Sequence, residues 1–277
     1  MEDVLTQLEA AMAELAPQLK ALRTSTSALN RAARLAAAEK ADALPMQRAL
    51  TRLEAAAENV ESETLDTAVA AFAAATQAAL DDLAFDFAGD LRQEFAARGE
   101  TVEGRPPVLA IGILTLRIDI AARKGQWFYG KEPLTKPIPL SLAGILKAYD
   151  RQVKRAVHRT VDADEFVPAL RKAWQDCIDK RAKRPAQGRV NIIEVYSQLT
   201  LNQQSVRFWN QPSRKTFRDY DRVLFVRDLV LLREQGVTGS FRLGVATKSQ
   251  AEQASRSIWL PNTAMDGQYY SDITFDL

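Results

Sequence analysis

The sequence predicts an α+β protein: a coiled-coil-like α-helical bundle at the N-terminal end, followed by a mixed α/β region. Three observations carry this reading. Residues 1–100 contain 29 alanines, two glycines and neither Trp nor Tyr, a composition of strong helix formers. Composition changes at Gly104-Arg105-Pro106-Pro107, where or beyond which lie nine of the eleven prolines and every Trp and Tyr. Charge changes with it: residues 1–100 hold 9 Lys+Arg against 17 Asp+Glu, a net of −8, while residues 101–277 hold 28 against 18, a net of +10, together giving the chain's +2. Two halves of opposite sign offer different surfaces to partners, and to each other.

In the first half, Leu5, Leu8, Met12, Leu15, Leu19 and Leu22 recur at alternating spacings of three and four. That is the seam of a helix that packs lengthwise on another helix. Pro17 falls inside this run, where it is expected to kink or split the helix. Thr24-Ser25-Thr26-Ser27 can cap a second helix from about Ala28, and Pro45 breaks or restarts it. Met46, Leu50, Leu53, Ala57 and Val60 continue the spacing. After Ser62-Glu63-Thr64, a long helix carries Leu65, Val69, Phe72, Leu80, Leu83, Phe87, Leu91 and Phe95 to about Gly99. Three or four antiparallel helices follow, either closed on themselves or leaving a seam open to another chain.

In the second half, Gly104–Pro107 reads as a linker, dividing a helical domain (1–100) from a β-hairpin with a helical pair (108–184) and a basic module (189–277). Val108 to Ile120 reads as a strand, returning through Gln126-Trp127-Phe128-Tyr129. A helix spans about Ser141 to Arg159. The next is capped by Asp162 with Glu165 three residues on, and faces Phe166, Leu170, Trp174 and Cys177 inward as far as about Lys183. Val190–Leu201 suits a helix, although its β-branched start suits a strand. Ser213 can cap a short helix to Asp219. Asp221–Gln235, stopped by Gly236, is a helix with Leu224, Phe225, Leu229 and Leu232 inward, and Ser240–Ala246 and Ser255–Leu260 are strands. Helices followed by a β-hairpin give the order of a winged-helix-like module, a likeness of fold that leaves function open.

Few residues invite catalytic chemistry. Gly125–Lys131 matches the letters GxxxxGK of a phosphate-binding loop, but its centre is Trp-Phe-Tyr and Glu132-Pro133 follows, where such a loop needs small residues and a Ser or Thr. An aromatic hairpin explains it better. His158 is the only histidine and Cys177 the only cysteine, which excludes internal disulfides and multi-histidine or multi-cysteine metal sites. Asp162, Asp164 and Glu165 open a helix, where negative charge is favoured. No Glu-x-Lys or Asp-x-Lys occurs to complete a nuclease site around Asp119. No catalytic, cofactor or metal residue is therefore assigned. The acidic start lacks a signal-peptide pattern, and the apolar stretch 108–120 is too short to span a bilayer, so no membrane and a cytoplasmic location are expected.

The basic pattern says more. Residues 147–222 hold 17 Lys+Arg against 9 Asp+Glu, including Lys180-Arg181-Ala182-Lys183-Arg184 and Arg214-Lys215-x-x-Arg218, with Trp209, Phe217 and Tyr220 interleaved. Such a mixture neutralises phosphates, or merely solvates helix faces. The function expected is that of a non-enzymatic DNA-associated protein. Arg207, Arg214, Lys215, Arg218 and Arg222 would surround the helix nearest duplex DNA, Lys248 would lie in the wing, and the Leu5–Leu22 seam would assemble the chain with itself or a protein partner. The alternative is an interaction subunit of a multiprotein complex, for example with an ATPase or nuclease, that touches no nucleic acid.

Overall fold

A computed structural model describes residues 2–38, 41–183 and 185–276. The chain is mixed α+β, with a long helical region first and antiparallel sheets after it. Arg184, the last residue of the basic run, lies outside the described residues. The chain forms two compact units, one of Met1–Gln93 with Arg105–Pro107 and Ile118–Lys124, the other of Glu94–Gly104, Val108–Arg117 and Gly125–Leu277.

The first unit is built on helices α1 (Glu2–Ala36), α2 (Ala43–Ala57) and α3, which begins here and runs Glu63–Ala97. Helix α1 is unbroken, contrary to the expected kink or split at Pro17. The proline removes one hydrogen bond, to the carbonyl of Ala13, and Ala13 is exposed, so water can satisfy that carbonyl. The Thr24–Ser27 run likewise lies inside α1. Thr24 and Thr26 turn their hydroxyls back onto the carbonyls of Lys20 and Leu22, at 2.9 and 2.8 Å. Buried Ser25 donates across to the carbonyl of Ala56 at 3.0 Å, fixing the α1–α2 hairpin. Pro45 sits in the first turn of α2, where its missing N–H has no helical acceptor to lose. Met46, Ala49, Leu50, Leu53 and Ala56 bury one face of α2. Ser62 caps α3 by accepting from the Leu65 N–H at 3.3 Å, and Gly99, at φ 76°, takes the left-handed turn just beyond its end. Among the described residues α3 is the one helix long and apolar enough to cross a membrane. Leu65, Phe72, Leu80, Leu91 and Phe95 on it are buried within the protein, and Asp81, Asp82, Asp86 and Asp90 crowd its second half.

The first sheet is an antiparallel meander, β1 (Val102–Arg105), β2 (Val108–Ile111), β3 (Leu114–Asp119), β4 (Lys124–Tyr129) and β5 (Glu132–Pro133), with β6 (Ile138–Pro139) paired to β4. Gly104–Pro107, read as a linker, is the end of a strand and a turn with a cis Pro106–Pro107 bond. Gly125 leaves room for Ile145, whose Cδ1 a Cβ would meet at 2.6 Å, and Gly130 takes the left-handed turn between β4 and β5 at φ 57°. The two glycines of the GxxxxGK match therefore serve packing and a turn. Lys131 lies 4.0 Å from the Trp259 ring centre and 4.4 Å from that of Tyr269. Trp127 and Tyr129 are fully buried, and the Trp127 indole donates to the carbonyl of Ile145 in helix α4 (Leu142–Gln152) at 3.1 Å.

Helix α4 is capped by Ser141 and runs into a π turn at Val153–Val157, with His158 as its C-cap. Helix α5 (Ala163–Asp179) follows. Asp162 caps it through the N–H groups of Asp164 and Glu165, and Phe166, Leu170, Trp174 and Cys177 are buried. Then come β7 (Val190–Asn191), α6 (Ile192–Asn202), a short α7 (Val206–Asn210), α8 (Arg222–Glu234), β8 (Phe241–Val245), α9 (Lys248–Ala251), β9 (Ile258–Pro261) and β10 (Gly267–Phe275). The residues 190–201 are both a strand and a helix, joined where Asn191 caps α6 through the Ile193 N–H. The second sheet has the order β7-β10-β8, with β9 also on β10. Its central strand, β10, lies beyond the strands that the sequence predicts. Ser271, Ile273 and Phe275 of β10 alternate inward, where Phe275 meets Trp174 and Phe241.

Burial pushes the Cys177 thiol up to about 11. An unfolded thiol ionises near about 8.5, so the folded state holds its proton longer. The stability this contributes is present below about pH 8.5 and is lost as pH rises toward 11. Between about pH 8.5 and 10 the urea midpoint of the wild type is expected to fall more steeply than that of Cys177→Ala. Equal slopes would place the thiol outside the core.

Candidate functional site

Helix α8 was expected to lie nearest DNA, yet none of its residues from Arg222 to Arg233 is exposed. Polar as well as apolar side chains hold it down. Asp228 is 1% exposed and accepts a two-pronged hydrogen bond from Arg159, at 2.5 and 2.8 Å, and a third bond from the Tyr220 hydroxyl at 2.6 Å. Arg227, also buried, donates to the carbonyl of Ala156 and the Tyr129 hydroxyl at 3.2 Å each, and pairs with Glu234. Asp221 pairs with Arg155. Burial first, then the Asp228 carboxylate, raises the Tyr220 phenol well above its usual range. A charge removed from water is costly unless it is paired and fully hydrogen-bonded, and these residues are. Helix α8 is therefore a structural beam whose sides are taken, with no free face to lay in a groove.

Arg222 belongs to this framework and not to an open surface. It pairs with Glu132 at 2.8 Å and donates to the carbonyls of Ser257, at 2.8 Å, and Ala254. Burial lifts the Glu132 carboxyl above its usual range and Arg222 works against that rise. Lys248 is exposed at the start of α9, in the connection between β8 and β9.

The other four residues predicted to touch DNA share one largely exposed segment, residues 205–219. Arg207, Arg214, Lys215 and Arg218 are all exposed there, and among the described residues none of them is in an ion pair. Asp219 is the only acid of the segment. Trp209 is 57% exposed and Phe217 37%, and Phe208 packs edge-on against both, with ring centres 5.2 and 5.5 Å apart. Ser205 caps α7, and the helix expected at Ser213–Asp219 is instead a set of turns. They are bound by Thr216, which accepts from the Ser213 N–H and donates to the carbonyl of Gln211. Buried Gln204 closes the base: its side chain accepts from the Arg218 N–H and donates to the Arg218 carbonyl, both at 2.8 Å. A clamp on both backbone groups of one residue makes an ordered Ω-type loop of a polar stretch.

The first unit carries the second candidate surface. From Asp3 to Thr24 every residue of α1 is exposed except half-buried Ala21. The six seam side chains Leu5, Leu8, Met12, Leu15, Leu19 and Leu22 are 49–63% exposed. Helix α2 covers only the later part of α1, around Ser25 and Ala32. A separate groove beside α1 and α2 is lined by Lys20, Arg23, Arg31, Arg34 and Arg52, and by no carboxylate.

Among the described residues no group of three or more His, Cys, Asp or Glu side chains could hold a metal ion. No family model, curated protein or solved structure matches the chain.

Two substitutions test these assignments. Asp228→Asn leaves the Arg159 guanidinium without its counter-charge and is expected to cost about 2–3 kcal/mol of unfolding free energy, discounted because Arg159 is partly solvated. A midpoint unchanged in urea denaturation would contradict the role given to Asp228. Gln204→Ala is expected to cost about 1–2 kcal/mol and to accelerate tryptic cleavage at Arg207, Arg214, Lys215 and Arg218 in native protein. Unchanged cleavage there would mean that Gln204 does not hold the loop.

Proposed function

We propose that the chain is a non-enzymatic, nucleic-acid-associated assembly protein. It binds phosphates through the 205–219 loop and joins other chains through the seam of α1. The observation that carries the nucleic-acid half is that loop: four unpaired cations and two exposed aromatic rings on a base held by Gln204. Cations without carboxylate partners are free to neutralise phosphates, and exposed rings add stacking or packing area. With the short α7, α9 and β9 inserted, the succession α5, β7, α6, α8, β8, β10 and the strand order β7-β10-β8 support reading this part as winged-helix-like. Buried α8 argues that such a module would touch the DNA backbone through its inter-helix loop, and not through a helix in the major groove.

A second reading, an interaction subunit that touches no nucleic acid, is favoured by the exposed α1 seam, which suits protein and not phosphate. It would leave the 205–219 loop to an acidic protein surface.

Binding to duplex DNA separates the two. Removing one phosphate-neutralising side chain is expected to flatten the log-affinity against log-salt slope by about 0.9. Replacing Arg214, Lys215 and Arg218 together with Ala should lower both affinity and slope, while Arg31→Ala with Arg34→Ala should change little. Trp209→Ala should weaken single-stranded more than duplex binding if the ring stacks on bases. No binding at low salt, or a triple variant that binds like wild type, sinks the nucleic-acid reading. Loss of binding only in the Arg31/Arg34 variant moves it to the α1–α2 groove.

A further inference from the structure

We infer that the seam of α1 is covered by α1 of a second copy of this chain, running antiparallel. The proposal rests on the assembly half of the reading above and names the occupant. A helix that projects without tertiary cover is marginal in water, because most helical stability in proteins comes from packing an apolar face. Here the projecting part, from Asp3 to Thr24, bears six large apolar side chains in one stripe. The stripe from Leu5 to Leu22 is about 26 Å long at 1.5 Å per residue.

Charge selects the partner. In the first fifteen residues of α1 the charged side chains are all acidic, Asp3, Glu9 and Glu14 among them; from Ala16 to Ala36 they are all basic, Lys20, Arg23, Arg31 and Arg34. Two copies in parallel would set acid beside acid and base beside base. Antiparallel, each acidic end lies along a basic one, twice over by symmetry, and opposite charges on facing helices set orientation. An anionic bilayer would instead repel the acidic end.

The spacing independently fits the same register. With the dyad between Ala13 and Glu14, Leu5 meets Leu22 of the second copy, Leu8 meets Leu19 and Met12 meets Leu15. Every seam residue then has an apolar opposite, and no layer is left open. Leu5, Met12 and Leu19 fall at a positions and Leu8, Leu15 and Leu22 at d positions, and antiparallel pairs stack a on d. On the flanks Ala11 and Ala16 let the backbones approach. Pro17 falls at f, the position farthest from the seam, so its missing hydrogen bond faces water and not the partner.

The test uses the full chain with Cys177→Ala, which removes its only cysteine. Sedimentation from about 1 to about 100 µM should show a monomer–dimer equilibrium. Leu8→Asp with Leu15→Asp should weaken it by at least about 100-fold. Glu9→Arg, at the e position beside the seam, should weaken it at low salt, and adding Arg23→Glu, also at e, should restore it; these exposed changes leave the core alone. Leu5→Cys alone should not form an oxidised dimer, and Leu5→Cys together with Leu22→Cys should, since a disulfide needs Cα atoms within about 7 Å. Cross-linking of Leu5→Cys alone means a parallel pair and overturns the proposal. So does a wild type that stays monomeric throughout, or a charge swap that fails to restore the dimer. DNA binding measured on the same variants keeps the two readings apart: a monomeric chain that still binds DNA through residues 205–219 overturns only the pairing.

Discussion

The arrangement of the second unit turns on the buried carboxylate of Asp228. An ionised Asp this far from water must be met by opposite charge and by donors to its oxygens. Arg159 supplies the charge and two bonds, and Tyr220 the third. Arg159 comes from the segment just past the π turn, so the pair ties α8 to the end of α4's path, about seventy residues earlier in the chain. Arg227 repeats the attachment one residue along, on the carbonyls of Ala156 and Val157 and on Tyr129. Two adjacent side chains thus point to opposite needs, a buried anion and a buried cation, and each finds its complement in the same stretch. With α8 held on these sides, what remains free lies ahead of it, in residues 205–219.

That division of labour separates a buried framework from an exposed loop. Ladder and core build the scaffold: β10 between β7 and β8, Trp174 donating to the carbonyl of Gly188 at 2.8 Å, and Phe275 among Trp174 and Phe241. The loop adds no apolar core. It is held by hydrogen bonds of Gln204 and Thr216, which leaves its cations and rings to face solvent. Loops positioned by rigid elements are where proteins usually carry their binding residues.

Much of this was legible in the sequence, for local reasons. The helix start near Ser141, the cap at Asp162, the stop at Gly236 and the inward faces of α2 and α5 follow from spacing and side-chain chemistry alone. The seam of α1 was legible as a stripe, but not as an uncovered one, because spacing cannot say how far α2 reaches along it. Pro17 misled because its cost depends on whether the freed carbonyl meets water. Arg222 looked like its basic neighbours until Glu132, ninety residues earlier, gave it a partner. The central strand β10 was hidden by Tyr269, Tyr270 and Asp272. The inward set Ser271-x-Ile273-x-Phe275 held the period-two signal, with a small polar residue at its first position.

The position of β10 also sets when the module can exist during synthesis. Ile273 pairs with Val190 and Phe275 with Phe241, so the middle of the sheet is the last strand to leave the ribosome. Until then β7 and β8 have exposed edges and Trp174 lacks the Phe275 ring. Non-local pairing of this kind folds slowly, and its open edges invite association with other chains. Strand β7 thus waits about eighty residues, roughly four to sixteen seconds of translation, for its mate. The α1–α2 hairpin, fixed by Ser25 on the carbonyl of Ala56, lies outside that sheet and has no such wait.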